Sequence, residues 1–187
     1  MMRFNDHKDL AEQHAFLSPS GYHWVNYDRP KLIDRYSNYR ASLKGTELHE
    51  FASAAINNKI QLANRKKALN AFVNDAIGFR MDSERVLYYS QNCFGTADAI
   101  SFRDNLLRIF DLKTGKTRCS FTQLDVYAAI FCLEYGYLPQ EIEIEERIYQ
   151  GNGFTTRIPP YEEIQTIMDV IVSHDQILEE VRLQESF

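Results

Sequence analysis

GTADAISFRDNLLRIFDLK, residues 95–113, decides how the chain is read. Two apolar runs, 96–102 and 106–113, flank the polar tripeptide Arg103-Asp104-Asn105, an order that predicts two strands joined by a tight turn. Each run carries a carboxylate, Asp98 on the first and Asp111 on the second, and Lys113 follows Asp111 by two positions. Residues two apart on a strand share a face, so Asp111 and Lys113 project together while Leu112 points the other way. An anion and a cation are thereby set side by side at a strand end.

Outward from this hairpin, residues 84–91 (ERVLYYSQ) supply a third strand candidate, and the short turns between the three predict an antiparallel meander. Residues 121–137 read as a helix with Leu124, Tyr127, Ala128, Phe131 and Tyr135 on one face, stopped by Gly136 and Pro139. Residues 141–149 alternate isoleucine with glutamate as a strand, 154–158 pair back after a glycine turn, and Pro159-Pro160 opens a closing helix. Upstream, Pro30 starts a short helix over 31–39. A longer helix over 42–60 has Leu48, Phe51, Ala52, Ala55 and Ile56 as its stripe, and another over 62–81 turns Ala68, Phe72, Val73, Ala76 and Ile77 inward. The segment before Arg29 is irregular, with an amphipathic start at Leu10 and Phe16, and with Tyr22, Trp24 and Tyr27 expected over the core.

The fold class expected is therefore α/β, a central mixed β-sheet flanked by helices in the order helix, three-strand meander, helix, strand. The helix between the third and fourth strands permits a parallel crossover. One domain over 1–187 is expected, with an N-terminal extension over 1–40, a core over 42–150 and a C-terminal helix over 159–184; 187 residues at 44% hydrophobic content suffice for one core.

No apolar run approaches the roughly 18 residues that span a bilayer, and no basic-then-apolar leader opens the chain, so a cytoplasmic protein without membrane attachment is expected. Cys93, Cys119 and Cys132 are odd in number and lack C-x-x-C spacing, which argues for reduced thiols and against a disulfide framework or a zinc or iron-sulfur site. The net charge of -5 does not mark a nucleic-acid binder, but a local positive groove can coexist with an acidic mean. Basic clusters stand at Arg35/Arg40/Lys44, at Arg65/Lys66/Lys67 and at Lys113/Lys116/Arg118; the second reads as a solvated helix face.

Two carboxylates and a lysine suit phosphodiester hydrolysis. Hard oxygen ligands hold Mg2+ or Mn2+, which activates a water, and a lysine positions the nucleophile or offsets developing charge. The competing reading is an Asp at a strand terminus and an exposed Asp111–Lys113 pair of little energetic worth.

Four pieces in order then resemble the PD-(D/E)XK nucleases, and within them the RecB-like exonuclease branch. Gly45-Thr46-Glu47-Leu48-His49 is similar to its G-x-x-x-H, Gly95-Thr96-Ala97-Asp98 to its G-x-x-D, Asp111-Leu112-Lys113-Thr114-Gly115 to its D-x-K-T-G, and 123–127 (QLDVY) to its Q-x-x-x-Y. Leu17-Ser18-Pro19-Ser20 is similar to the L-S-P-S that begins many such domains. The resemblance implies a restriction-endonuclease-like core and a metal-dependent DNA nuclease of exonuclease type. Asp98, Asp111, the Leu112 carbonyl and His49 would hold Mg2+ or Mn2+, and Lys113 would orient or activate the attacking water. Gln123 and Tyr127, one turn apart, would touch substrate phosphate or Lys113; Ser120 to Gln123 also has capping-box spacing. Glu50, or less readily Glu47, would be an outer-shell or second-metal ligand. Arg40, Lys44, Lys116 and Arg118 are the candidate DNA contacts.

The four cysteines of the cluster-bearing members are missing, so no iron-sulfur cluster is expected, and no G-x-x-x-x-G-K-[ST] occurs, so any helicase or recombination partner would be a separate chain. The resemblance places the chain in a bacterial or phage-infected cell, with an oligomer open. Two other readings stay beside the nuclease. One is a non-catalytic DNA-binding or regulatory subunit of a repair, recombination or anti-defence complex; the other is a phosphohydrolase acting on small nucleotides.

Overall fold

The computed structural model describes residues 15–64, 66–115 and 119–185. The chain divides into two compact units, Met1–Lys44 and Gly45–Phe187, with the boundary inside the first long helix.

In the first unit, Pro19–Asn26 forms a 3-10 segment. The Ser18 hydroxyl accepts from the Gly21 N–H, and the Trp24 indole N–H donates to the Ser18 carbonyl at 2.9 Å. Of the aromatics expected over the core, Tyr22 is exposed, while Trp24 and Tyr27 are half-buried. Phe16 packs its ring against Tyr36 and Tyr39. Helix α1 is Arg29–Asn57, opened by Asp28, whose carboxylate accepts from the Lys31 N–H at 2.9 Å. The two helices expected over 31–39 and 42–60 are thus one, since nothing between Arg40 and Lys44 breaks a helix.

The second unit is built on a five-stranded mixed sheet. Its strands are β1 Asp82–Ser90, β2 Cys93–Arg103, β3 Leu106–Lys113, β4 Glu143–Gln150 and β5 Gly153–Arg157, in spatial order β1-β2-β3-β4-β5. Only β3 and β4 run parallel, and helix α3 (Thr122–Tyr135) makes the crossover between them. Asp104 and Asn105, with φ of 52° and 59°, form the two-residue turn between β2 and β3, a pair suited to the left-handed conformation a twisted hairpin needs. Helix α3 ends at Gly136, φ 72°, whose N–H donates to the Cys132 carbonyl. Helix α2 is Ala68–Gly78, shorter than the 62–81 expected, because Leu62 leaves helical geometry to exchange two backbone hydrogen bonds with the Asn74 side chain. Helix α4, Tyr161–Glu185, closes the fold.

Helices cover both sheet faces. The end of α1 (Ala52, Ala55, Ile56) and α2 pack with Ala99, Phe110, Leu112 and Tyr149 on one face. On the other, α3 and α4 pack with Leu87, Ala97, Leu107, Ile109, Ile144 and Ile148. Phe51, expected inward on α1, is exposed. Cys93, Cys119 and Cys132 form no disulfide among the described residues, and Cys132 is buried. Among the described residues no helix is long and apolar enough to cross a membrane.

One strand breaks the alternation. Ala97 packs under α3, whereas Ala99, two residues on, packs under α2. The phase changes at Asp98, and directly across the hairpin Glu84 takes φ 51°.

Candidate metal centre

The break at Asp98 opens a fork in the sheet. Backbone pairing of β2 with β3 runs from Arg103↔Leu106 to Ala99↔Phe110 and stops there. The Leu112 N–H then donates to the Asp98 Oδ2 at 2.7 Å, so a side chain takes the place of the next rung. The other oxygen, Oδ1, stands 3.3 Å from His49 Nδ1 on α1. Glu84 completes a group of three, His49, Glu84 and Asp98, with one ligating atom of each within 4.8 Å of the other two.

On the α3 side of the fork, Asp111 and Lys113 share a face as the strand period predicts, with Oδ1 and Nζ 3.0 Å apart, while Leu112 is buried in the opposite core. Lys113 also donates to Gln123 Oε1 at 2.7 Å, Gln123 Nε2 donates to the Tyr127 hydroxyl at 3.3 Å, and Tyr127 donates to the Thr96 carbonyl at 2.6 Å. Gln123 therefore serves the lysine and not a capping box, as the Ser120 hydroxyl is taken up with Thr122. The chain Lys113–Gln123–Tyr127–Thr96 binds the first turns of α3 to both strands of the fork.

Two glycines explain themselves by close approach. A Cβ on Gly95 would meet the Tyr127 ring at 3.0 Å, and one on Gly45 would meet Thr114 Oγ1 at 3.0 Å. Bare backbone at these positions lets Tyr127 lie over β2 and lets α1 lie against the end of β3.

The electrostatics are those of a crowded acid site. Burial, and then the charge of Asp98, raise the Asp111 carboxyl, an effect that Lys113 opposes. Asp111 is 3% exposed, and its Oδ2 has no hydrogen-bond partner among the described residues. Burial and Asp98 likewise raise Glu84, while the hydrogen bond to Asp98 raises His49 against the opposing effect of burial. Burial leads the shifts of Asp111 and Glu84, and the Asp98 carboxylate acts on all three groups.

The fork thus brings together His49, Asp98, Asp111, Leu112, Lys113, Gln123 and Tyr127. Glu50 is exposed and outside the three-residue group, as is Glu47. Arg40 and Lys44 are exposed on α1 in the first unit, and Lys116 and Arg118 lie outside the described residues, as does Arg65. Glu84 is the residue that reading the sequence did not single out. The donor set, carboxylate oxygens with one imidazole nitrogen and an unpaired buried Asp111 oxygen beside them, fits a small hard divalent cation. Among known proteins, no family model matches the chain and no curated protein matches it.

Proposed function

We propose that the second unit is a PD-(D/E)XK-type nuclease core, and that the chain is a Mg2+- or Mn2+-dependent deoxyribonuclease. The observation that carries this reading is the fork itself. It gathers four acid or imidazole groups, His49, Glu84, Asp98 and Asp111, around one side-chain rung and sets an ammonium beside them. A structural ion pair has no need of a second and third carboxylate that only raise the cost of the first.

His49, Glu84 and Asp98 would hold the cation, with Asp111 and the Leu112 carbonyl next to it. The bound ion supplies Lewis acidity, which acidifies a water and offsets charge on a phosphate oxygen. Lys113 supplies a fixed positive donor where negative charge grows on the phosphorus oxygens, and Gln123 and Tyr127 hold the ammonium so that no reorganisation is needed. Asp111 pairs with Lys113 at 3.0 Å and holds it at the fork. DNA is the proposed substrate, and any helicase or recombination protein that feeds it is proposed as a separate chain.

The test is incubation of end-labelled linear DNA and covalently closed circular DNA with Mg2+, with Mn2+ and with chelator, beside Lys113→Ala. Metal-dependent loss of linear DNA that the variant lacks is the expected result, and an intact circle assigns end-dependent cutting. No cleavage with either metal by the folded wild-type chain refutes the proposal.

A further inference from the structure

The face of β1–β2 that carries Glu84 and Asp98 continues past them along the hairpin. The register pairs Val86 with Thr96 and Tyr88 with Phe94. Alternate residues share a face, so these four stand in line with Glu84 and Asp98, while Leu87 and Ala97 between them pack under α3. Val86, Tyr88 and Phe94 are 53%, 42% and 60% exposed. The Tyr88 and Phe94 rings are stacked, with centroids 6.3 Å apart and planes at 28°. Four residues of strand at about 3.3 Å each place this pair about 13 Å from Asp98, within reach of the next few nucleotides of a strand held at the fork.

Among the described residues, the charged groups bonded to this end of the hairpin are carboxylates. The Tyr88 N–H donates to the Glu134 carboxylate, and the β1–β2 turn is bound through Ser90 and Asn92 to Asp175 and Glu179 of α4. Aromatic faces supply a grip of another kind, since every base has a π-face and stacking is tolerant of sequence. A duplex spends its base faces on its own stack, whereas an unpaired strand offers them.

We propose that Tyr88 and Phe94 form a stacking platform for bases of a single-stranded DNA segment whose backbone enters the metal centre. The proposal takes the identity of the strand from the nuclease reading. It assigns single-strand preference to the site, and it makes binding depend on stacking more than on counterion release, so affinity changes little with salt.

Fluorescence anisotropy of a labelled oligothymidylate, with chelator so that nothing is cut, reads binding apart from cleavage. The wild-type chain is expected to bind the oligonucleotide more tightly than a duplex of equal length, with a shallow slope of log affinity against log salt. Tyr88→Ala and Phe94→Ala should each weaken binding about tenfold. Phe94→Leu, apolar but without a π-face, should fail like Phe94→Ala, Phe94→Trp should restore binding, and Tyr161→Ala, an exposed aromatic on α4, should change nothing. Equal affinity for duplex, a steep salt slope, or Phe94→Leu binding like wild type overturns the platform. So does a concentration-dependent dimer that Phe94→Ala dissolves, which would show a second copy covering the rings. Tight, ring-dependent binding without cleavage under any metal leaves the platform standing and refutes the nuclease; cleavage with unaltered binding by the ring variants does the reverse.

Discussion

Two groups of acids lie on this sheet, and the fold treats them in opposite ways. At the fork, Glu84 is exposed, His49 and Asp98 are partly so, and the Lys113 ammonium is shared between Asp111 and Gln123. In the middle of β4, Glu146 is 0% exposed, and neither of its oxygens is hydrogen-bonded among the described residues. The guanidinium nearest to it, Arg157, is 3.9 Å away and already bonded to both oxygens of Asp125 and to Glu163. Burial, then the Asp125 charge, push the Glu146 carboxyl up to about 8, so that near neutrality it keeps its proton. The sealed group resolves its excess charge by protonation. The open group reaches solvent through Glu84, His49 and Asp98, where a ligand can meet it, and that difference marks it as the candidate place for chemistry.

Substitutions at the two groups should therefore behave differently. The largest effect is expected for Lys113→Ala, which should lower the cleavage rate about a thousandfold while leaving the far-ultraviolet circular dichroism unchanged. Asp111→Ala should match it in activity and, by removing a buried acid, lose no stability. Full activity in either folded variant would erase the distinction between the groups.

Glu146→Gln tests the other side. In the unfolded chain this acid ionises near 4.5, but in the fold it holds its proton up to about 8. A raised folded value contributes stability below the unfolded one and loses it as pH climbs toward 8. The amide mimics the protonated acid at every pH. Urea unfolding should find Glu146→Gln nearly equal to wild type at pH 4 and more stable by ~5 kcal/mol at pH 9. A constant difference across that range would mean that the carboxyl is satisfied in some other way.

Glu84→Gln should weaken Mn2+ about tenfold to a hundredfold, read by the free-ion paramagnetic resonance signal so that activity does not enter. An unchanged affinity would remove Glu84 from the open group. The smallest effect is expected for Gly95→Ala. Its methyl must displace the Tyr127 ring, at a cost of about 1 kcal/mol in denaturant unfolding. A neutral substitution would show that the ring does not need its seat.

The β3 run and its turn were legible from residues alone, because Asp104-Asn105 sets a two-residue hairpin and the strand period then fixes which neighbours of Leu112 face α3. The parallel crossover followed from a helix lying between two strands. Glu84 was not legible, for a reason of register. A tight turn at Gln91-Asn92 pairs Ser90 with Cys93, and counting back from it sets Glu84 opposite Ala99. The shift between Tyr88 and Ser90 moves every earlier pair by one and brings Glu84 across from Asp98. Helix α1 misled for another reason. Leu32, Tyr36, Tyr39 and Leu43 recur at helical spacing before Gly45 and no breaker stands among them, so the one helix was legible, but the stripe from Leu48 onward was read as a separate helix.

The rung made by Asp98 has a mechanical consequence. Beyond Ala99↔Phe110, tension on the β1–β2 hairpin passes into β3, α3 and α4 through side-chain hooks, Asp98 to Leu112, Tyr127 to Thr96, Glu134 to Tyr88 and Asp175 to Ser90, where an ordinary sheet would carry it through a row of peptide groups. An ion gripped by His49, Glu84 and Asp98 spans this joint from helix to hairpin, so it would act as a splint, and the stiffness of the hairpin would report whether the ion is there.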